Sequence, residues 1–324
     1  MKTLNTKSYR MGLASGGSVA VDSVSHSDNA STPEDKKSFY IRMAIMVIAA
    51  CIFVFAGSQI FMIFYKYHES DKIYSNISNE VLNPNGHTTT IIGTDGSSGD
   101  GTGTTTTTIE AFDYDHEKLL ETNADAVGYI YMPASNMRLP IVQGEDNDYY
   151  LTHSFNGTSN SSGTIFEDCD IKGGLSATNV ILYGHHMKND GMFAPLKYYV
   201  RNGAAYYNTE GNDVFYIYTG NRIIQYKIFT VHEDDPISPT YTYNFPDVSS
   251  LREYAQQMKD LSIYDTGVDV SNATQVITLS TCTAAGDRRI IVQGIYVGEG
   301  VFRLNLLTFL KKLLAINWFL SYFI

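Results

Sequence analysis

Thr278-Leu279-Ser280-Thr281-Cys282 closes an apolar run that begins at Gln275, and Arg289 follows seven residues after the cysteine, at the head of a second apolar run, Ile290 to Val297. Both runs are rich in β-branched residues, which favour strands. A third stretch of the same kind, Val180-Ile181-Leu182-Tyr183-Gly184-His185-His186, ends in histidine. A thiol, an imidazole and a guanidinium therefore stand at the ends of strand-like segments. Cysteine attacks a carbonyl as the thiolate, a state that a nearby imidazole or guanidinium favours. A fixed positive charge also stabilises an oxyanion. Taken singly, a strand cysteine is more often a small buried hydrophobe, and a lone histidine a surface or hydrogen-bonded residue. The combination, each member at a strand boundary beside polar turn residues, points to nucleophilic catalysis.

Working outward, further strand-like segments are Val127 to Met132, Leu139 to Val142, Gly163 to Phe166, Val214 to Thr219 and Arg222 to Val231, with Gly220-Asn221 as a turn between the last two. Helical stretches are few: Asp113 to Asn123, with Asp113 as a cap, Met192 to Val200, and Ser249 to Leu261. About eight strands with few helices predict a mostly β, largely antiparallel barrel with decorations. This folded domain is expected over residues 109–300.

Residues 1–42 are rich in Ser, Gly, Asp and Lys and read as a disordered cytoplasmic tail. Met43 to Tyr65 is 23 residues without a formal charge, long enough to cross a bilayer as a helix. Its distance from the N-terminus and its bulky end favour a retained anchor over a cleaved signal peptide. Lys36, Lys37 and Arg42 before it, against Lys66 and Lys72 after it, place the N-terminus inside and the bulk of the chain outside. Residues 66–108, with five glycines between Gly93 and Gly103 and then Thr104 to Thr108, read as a flexible extracellular spacer. The stretch 301–324 is apolar but interrupted by Arg303, Lys311 and Lys312. It makes a poor second span, and a membrane-surface helix and a terminal packed helix both remain open for it.

The formal charge of −11 and the lack of a basic cluster argue against a nucleic-acid partner. Three cysteines, Cys51, Cys169 and Cys282, are too few for a disulfide framework. A Cys169–Cys282 bridge would consume the thiol whose context marks it as reactive. No phosphate-binding glycine loop or metal-ligand spacing is present, so a cofactor-free enzyme is expected.

The chain resembles the class B sortases, membrane-anchored cysteine transpeptidases of Gram-positive bacteria, across most of residues 112–298. Besides the cysteine and histidine segments, the resemblance is carried by Arg138-Leu139-Pro140-Ile141-Val142-Gln143-Gly144, Asp146-Asn147-Asp148-Tyr149-Tyr150-Leu151, Gly163-Thr164-Ile165-Phe166 and Met192-Phe193-Ala194-Pro195-Leu196. Ser249 to Leu261 resembles the insertion that marks class B. The resemblance implies a closed β-barrel of about eight strands with an N-terminal helix and an inserted helix before the catalytic strand. It implies Cys282 as nucleophile, His185 as general acid and base, and Arg289 as oxyanion stabiliser and substrate clamp. His186 is a bystander on this reading. Arg288 competes for the arginine role, but neighbouring strand residues face opposite ways, and the family's arginine directly precedes the apolar strand, as Arg289 does.

Carried over in the same way, Asn147, Leu151, Thr240, Tyr241, Ser280, Thr281 and Thr283 line a groove for the sorting peptide. Family members often carry an acidic or bulkier residue where this chain has Thr283. The implied partners are surface proteins bearing an Asn-Pro-x-Thr-like or Ser-Pro-x-Thr-like signal, a peptidoglycan amine, and the membrane through the N-terminal helix. The rival readings are a pilus-polymerising sortase and a catalytically silent surface module that binds wall peptides or partners. A papain-like protease fits poorly, because there the cysteine comes first and lies on a helix.

Overall fold

The computed structural model describes residues 33–94 and 104–301. The tail 1–32, the glycine-rich stretch 95–103 and the apolar stretch 302–324 lie outside the described residues. The chain divides into two units at Gln59 and Ile60. In the first, residues 33–59 belong to helix α1, Pro33–Val81, and their large apolar side chains are exposed. The helix is long and apolar enough to cross a membrane.

In the second unit α1 continues to Val81, where a spacer is expected. Ser70, Tyr74, Ile77 and Val81, spaced four, three and four residues apart, share one helix face and are buried. The Tyr74 hydroxyl bonds Thr164 Oγ1 at 3.1 Å and the Gly163 carbonyl, which ties this helix to the loop before the fifth strand. The rest of the expected spacer pairs as a hairpin of β1, Leu82–Thr94, and β2, Thr104–Tyr114. Threonine is β-branched and suits a strand as readily as a linker.

After α2, His116–Thr122, which Asp115 rather than Asp113 caps, come β3, Ala126–Met132, β4, Met137–Val142, β5, Ile165–Glu167, and β6, Asn179–Tyr183. Two short helices, α3, Lys197–Arg201, and α4, Gly203–Tyr207, precede the hairpin of β7, Val214–Thr219, and β8, Arg222–Asp234. Gly220, at φ 55°, supplies the left-handed residue of its two-residue turn. Then come α5, Val248–Asp260, β9, Val276–Cys282, and β10, Arg289–Val301. The strands run β2-β1-β10-β8-β7-β3-β4-β5-β6-β9, and β9 pairs back onto β10. That last pairing closes eight strands into a barrel and leaves the β1–β2 hairpin outside it. Two pairings, β4 with β5 and β6 with β9, are parallel.

Alternation along β9 sorts its residues between two cores. Ile277 and Leu279 join the barrel interior with Val180, Leu182, Ile290 and Val292. Val276 faces outward and packs with Ile295 against Leu251, Tyr254, Ala255 and Met258 of α5. Thr278, Ser280 and Cys282 follow Val276 on this outer face. The segment inserted between β8 and β9 therefore covers the face on which the cysteine lies.

Glu167 alternates with the buried Phe166, is fully buried, and has no hydrogen-bond partner for either carboxylate oxygen among the described residues. Burial, followed by the charge of Asp168, pushes its carboxyl from 4.5 up to about 8. The folded state then holds a proton that the unfolded state has released, so stability falls as pH rises from about 4.5 to about 8. Glu167→Gln is expected to flatten this slope, gaining on the order of a few kcal/mol over wild type at pH 8.5 and little at pH 4. Urea unfolding at the two pH values measures it.

Candidate active site

The parallel pairing of β6 with β9 sets Tyr183 beside Ser280, and the Gly184 N–H donates to the Ser280 carbonyl at 3.1 Å, one step beyond the ladder. Gly184 is required there: a Cβ would lie 2.4 Å from Ile165 Cδ1 and 2.8 Å from the Phe193 ring. One residue on, His185 leaves the end of β6 next to the end of β9, where Cys282 stands. Across β9, the antiparallel register with β10 makes Arg289 the direct partner of Cys282, so the two side chains share the outer face. His185, Cys282 and Arg289 are each half-buried, a placement open to a substrate yet shielded from bulk water.

The His185 Nε2 lies 2.7 Å from the Leu151 carbonyl. A carbonyl only accepts, so Nε2 carries the proton there and Nδ1 is the basic nitrogen of the neutral ring. Leu151 ends the 3-10 turn Tyr149–Leu151 and thus contributes its backbone to the histidine. After His185 the chain doubles back. Asp190 and Met192 take left-handed φ values of 61° and 53°, and the Phe193 N–H donates to the His185 carbonyl at 3.1 Å. Such non-glycine residues cost on the order of 1–2 kcal/mol each, and burial of Met192 and Phe193 offsets that strain.

His186, a bystander to the chemistry on the sequence reading, has a structural part. Its Nδ1 donates to the Cys282 carbonyl at 2.6 Å, clamping the backbone of the cysteine to the end of β6. Alternation gives no warning of this, because the chain has already left the strand at Gly184. Arg289 forms no ion pair within 4.0 Å among the described residues, and its Nη1 touches only the Arg288 carbonyl at 3.3 Å. The Arg288 guanidinium is taken up by the Glu233 carbonyl.

The Ser280 hydroxyl and the Tyr241 phenol lie 2.9 Å apart, and the Tyr241 ring stacks on Tyr183 at 6.2 Å and 17°. Burial leads the upward shift of the Tyr241 phenol and keeps it protonated. Asn147 is half-buried and accepts the Cys169 N–H at 2.9 Å through its side-chain oxygen.

Three expected groove contacts are buried, the first being Ser280, which bonds Tyr241 on the outer face and is 1 % exposed. Thr281 alternates with Ser280 and Cys282, points into the barrel and is 2 % exposed. Thr240 is fully buried beneath Tyr241, its hydroxyl donating to Asp234 and its carbonyl accepting from Tyr254. Thr283 caps the turn into β10: its N–H donates to the Arg288 carbonyl at 2.9 Å and its hydroxyl to Asp287 at 3.0 Å.

Cys169 and Cys282 are both free thiols. Burial, then Asp170, Asp168 and Asp146, push the Cys169 thiol upward, against nucleophilicity. Asp168, Cys169 and Asp170 are the one group among the described residues close enough together to hold a metal ion. Asp168 is already engaged there by the Tyr183 hydroxyl at 2.9 Å and the Asp170 N–H at 3.0 Å.

The sortase domain model matches residues 130–297 of this chain. Sortase B of Listeria monocytogenes is 32% identical over 179 residues, 54% of this chain and 71% of the relative. The chain belongs to the class B sortases. Among solved structures, sortase B of Clostridium perfringens superposes with a TM-score of 0.52 at 28% identity, covering 56% of this chain and all of that one. A Staphylococcus aureus sortase B–substrate complex superposes with a TM-score of 0.50 at 25% identity, covering 56% and 84%. This sortase is thus a cysteine transpeptidase of the family that anchors surface proteins, and its eight-stranded barrel with an inserted helix is the family fold.

Proposed function

We propose that Cys282 attacks the threonine carbonyl of an Asn-Pro-x-Thr-like or Ser-Pro-x-Thr-like sorting signal. The observation that carries this reading is the register making Arg289 the cross-strand partner of Cys282, with His185 at the adjoining strand end. His185 takes the Cys282 thiol proton, the sulfur forms a bond to the carbonyl carbon, and Arg289 stabilises the oxyanion. The C–N bond then breaks, and His185 gives a proton to the departing amine. A thioester remains on Cys282. A peptidoglycan amine loses its proton to His185 and attacks the thioester, forming the new amide and returning the thiol. No electrons are exchanged, and the reaction needs only the peptide and the amine. His186 and Leu151 support it by holding the backbone of the cysteine and the orientation of the histidine.

On this reading α1 anchors the enzyme as a single pass with its N-terminus in the cytoplasm and the barrel outside, as the flanking lysines and arginine favour. The test is the full-length protein in detergent with a panel of quenched fluorescent sorting peptides. Cleavage of one motif class, with an amide product when a glycine-type amine is added, is the expected result. Cleavage of none of the panel would overturn the proposal and favour a surface binding module.

A further inference from the structure

Tyr241 reaches Ser280 from an irregular connection, residues 235–247, with Ile237 nearly fully exposed. Only the 3-10 turn Pro239–Tyr241 gives it local order, and so short a turn does not hold its own position. Two buried anchors fix it: the Asn179 side chain donates to the Thr242 carbonyl at 2.7 Å, and Thr240, beside Tyr241, is held on both its hydroxyl and its carbonyl. The Thr240 hydroxyl donates to Asp234 Oδ2 at 2.5 Å, and its carbonyl accepts from the Tyr254 hydroxyl at 2.6 Å. His232 Nε2 lies 3.3 Å from the same hydroxyl. Burial lowers the His232 pKa to about 4 and keeps the ring neutral, and its one proton goes from Nδ1 to the Thr230 hydroxyl, which itself donates to the Met258 carbonyl, so Nε2 does not donate to Thr240. Asp234 is suited to be the fixed end. Burial raises its carboxyl, but hydrogen bonds, the one from Thr240 foremost, outweigh burial and hold it below the ordinary range.

Asp234 ends β8, and the β8–β10 register makes it the partner of Arg289. Asp234, Arg289 and Cys282 therefore form one row across three strands on one face. Asp234 is occupied by Thr240, and no ion pair joins it to Arg289 within 4.0 Å among the described residues. The guanidinium is thus left available to a substrate carbonyl.

We propose that Asp234 is a positioning residue for peptide recognition, holding the Pro239–Tyr241 turn through the Thr240 hydroxyl so that the Tyr241 phenol stands at Ser280 beside Cys282. The proposal rests on the transpeptidase reading above for its kinetic consequence, though not for its structural one. The test uses the full-length protein and the peptide it cleaves best. Asp234→Ala and Thr240→Val are each expected to raise KM about tenfold with kcat within about threefold. The double variant should be no worse than either single variant, because both cut the same link. Asp234→Asn and Thr240→Ser, which keep an acceptor and a hydroxyl, should restore most of the affinity. The alkylation rate of Cys282 by iodoacetamide should stay at the wild-type value in all of them, a readout that general loosening of the fold would change.

Hydrogen exchange addresses the structural half without any substrate: amides 240–242 should lose protection in Asp234→Ala while those of β9 keep theirs. Additive effects in the double variant, unchanged KM, or unchanged exchange in Asp234→Ala would each overturn the proposal. If the wild-type enzyme cleaves no peptide, the transpeptidase reading fails on its own, and the exchange experiment still decides whether Asp234 holds the turn.

Discussion

Cys282→Ser folds normally and loses peptide turnover by roughly a thousandfold or more. Folding survives because the site is held by backbone, not by the thiol. The carbonyl of residue 282 bonds His186, and its Cα pairs with Arg289, contacts that any side chain of similar size retains. The half-buried thiol belongs to neither hydrophobic cluster, so the stability change should stay within about 0.5 kcal/mol. Turnover is lost because a serine hydroxyl, unlike a thiol, is not ionised to any useful extent by a neighbouring imidazole and guanidinium alone. Steady-state cleavage of the best peptide, with thermal melting as the control, measures both halves. Residual activity within tenfold of wild type would assign the nucleophile elsewhere.

Arg289→Ala is expected to lower kcat by roughly a hundredfold to a thousandfold, the range for removing one oxyanion donor. Arg289→Lys should recover little, because an ammonium lacks the planar fork that reaches a carbonyl oxygen from a strand position. Arg288→Ala provides the contrast. Its guanidinium is committed to the Glu233 carbonyl at the strand end, so its loss should cost less than about tenfold. Equal losses for the two arginines would mean that the cross-strand register with Cys282 does not decide which one acts.

Much of this site is legible in the sequence because its chemistry is local to strand ends. The runs before Cys282 and His185 and after Arg289 announce themselves by β-branched residues; alternation forbids Arg288 and Arg289 from facing the same way, and the family position of the arginine selects Arg289. The same alternation, applied to Ser280, Thr281 and Cys282, forbids all three from facing one groove, and the structure turns Thr281 inward. Motif adjacency obscures that rule. Thr240 is misplaced for a different reason: a buried threonine beneath a loop looks identical in sequence to an exposed one, and only the fold brings Asp234 to its hydroxyl.

The stretch after the span is a conflict of signals. Tyr74, Ile77 and Val81 keep a helical spacing, but the glycines and threonines that follow outweigh it in composition. Thr104–Tyr114 is a strand because it pairs with the preceding strand β1, and the packing that makes 66–81 a helix comes from barrel loops far away in sequence. His186 is hidden for the same reason. Its partner is 96 residues away, and nothing periodic marks a loop residue that reaches back to a backbone carbonyl.

The most direct test of the central claim is the intact mass of the full-length enzyme after brief incubation with a sorting peptide and no added amine. The account requires a mass increase equal to the N-terminal peptide fragment through threonine, mapped to Cys282 and absent from Cys282→Ala, that disappears when amine is added. Peptide cleavage with no adduct on Cys282, or an adduct that persists in Cys282→Ala, would contradict it.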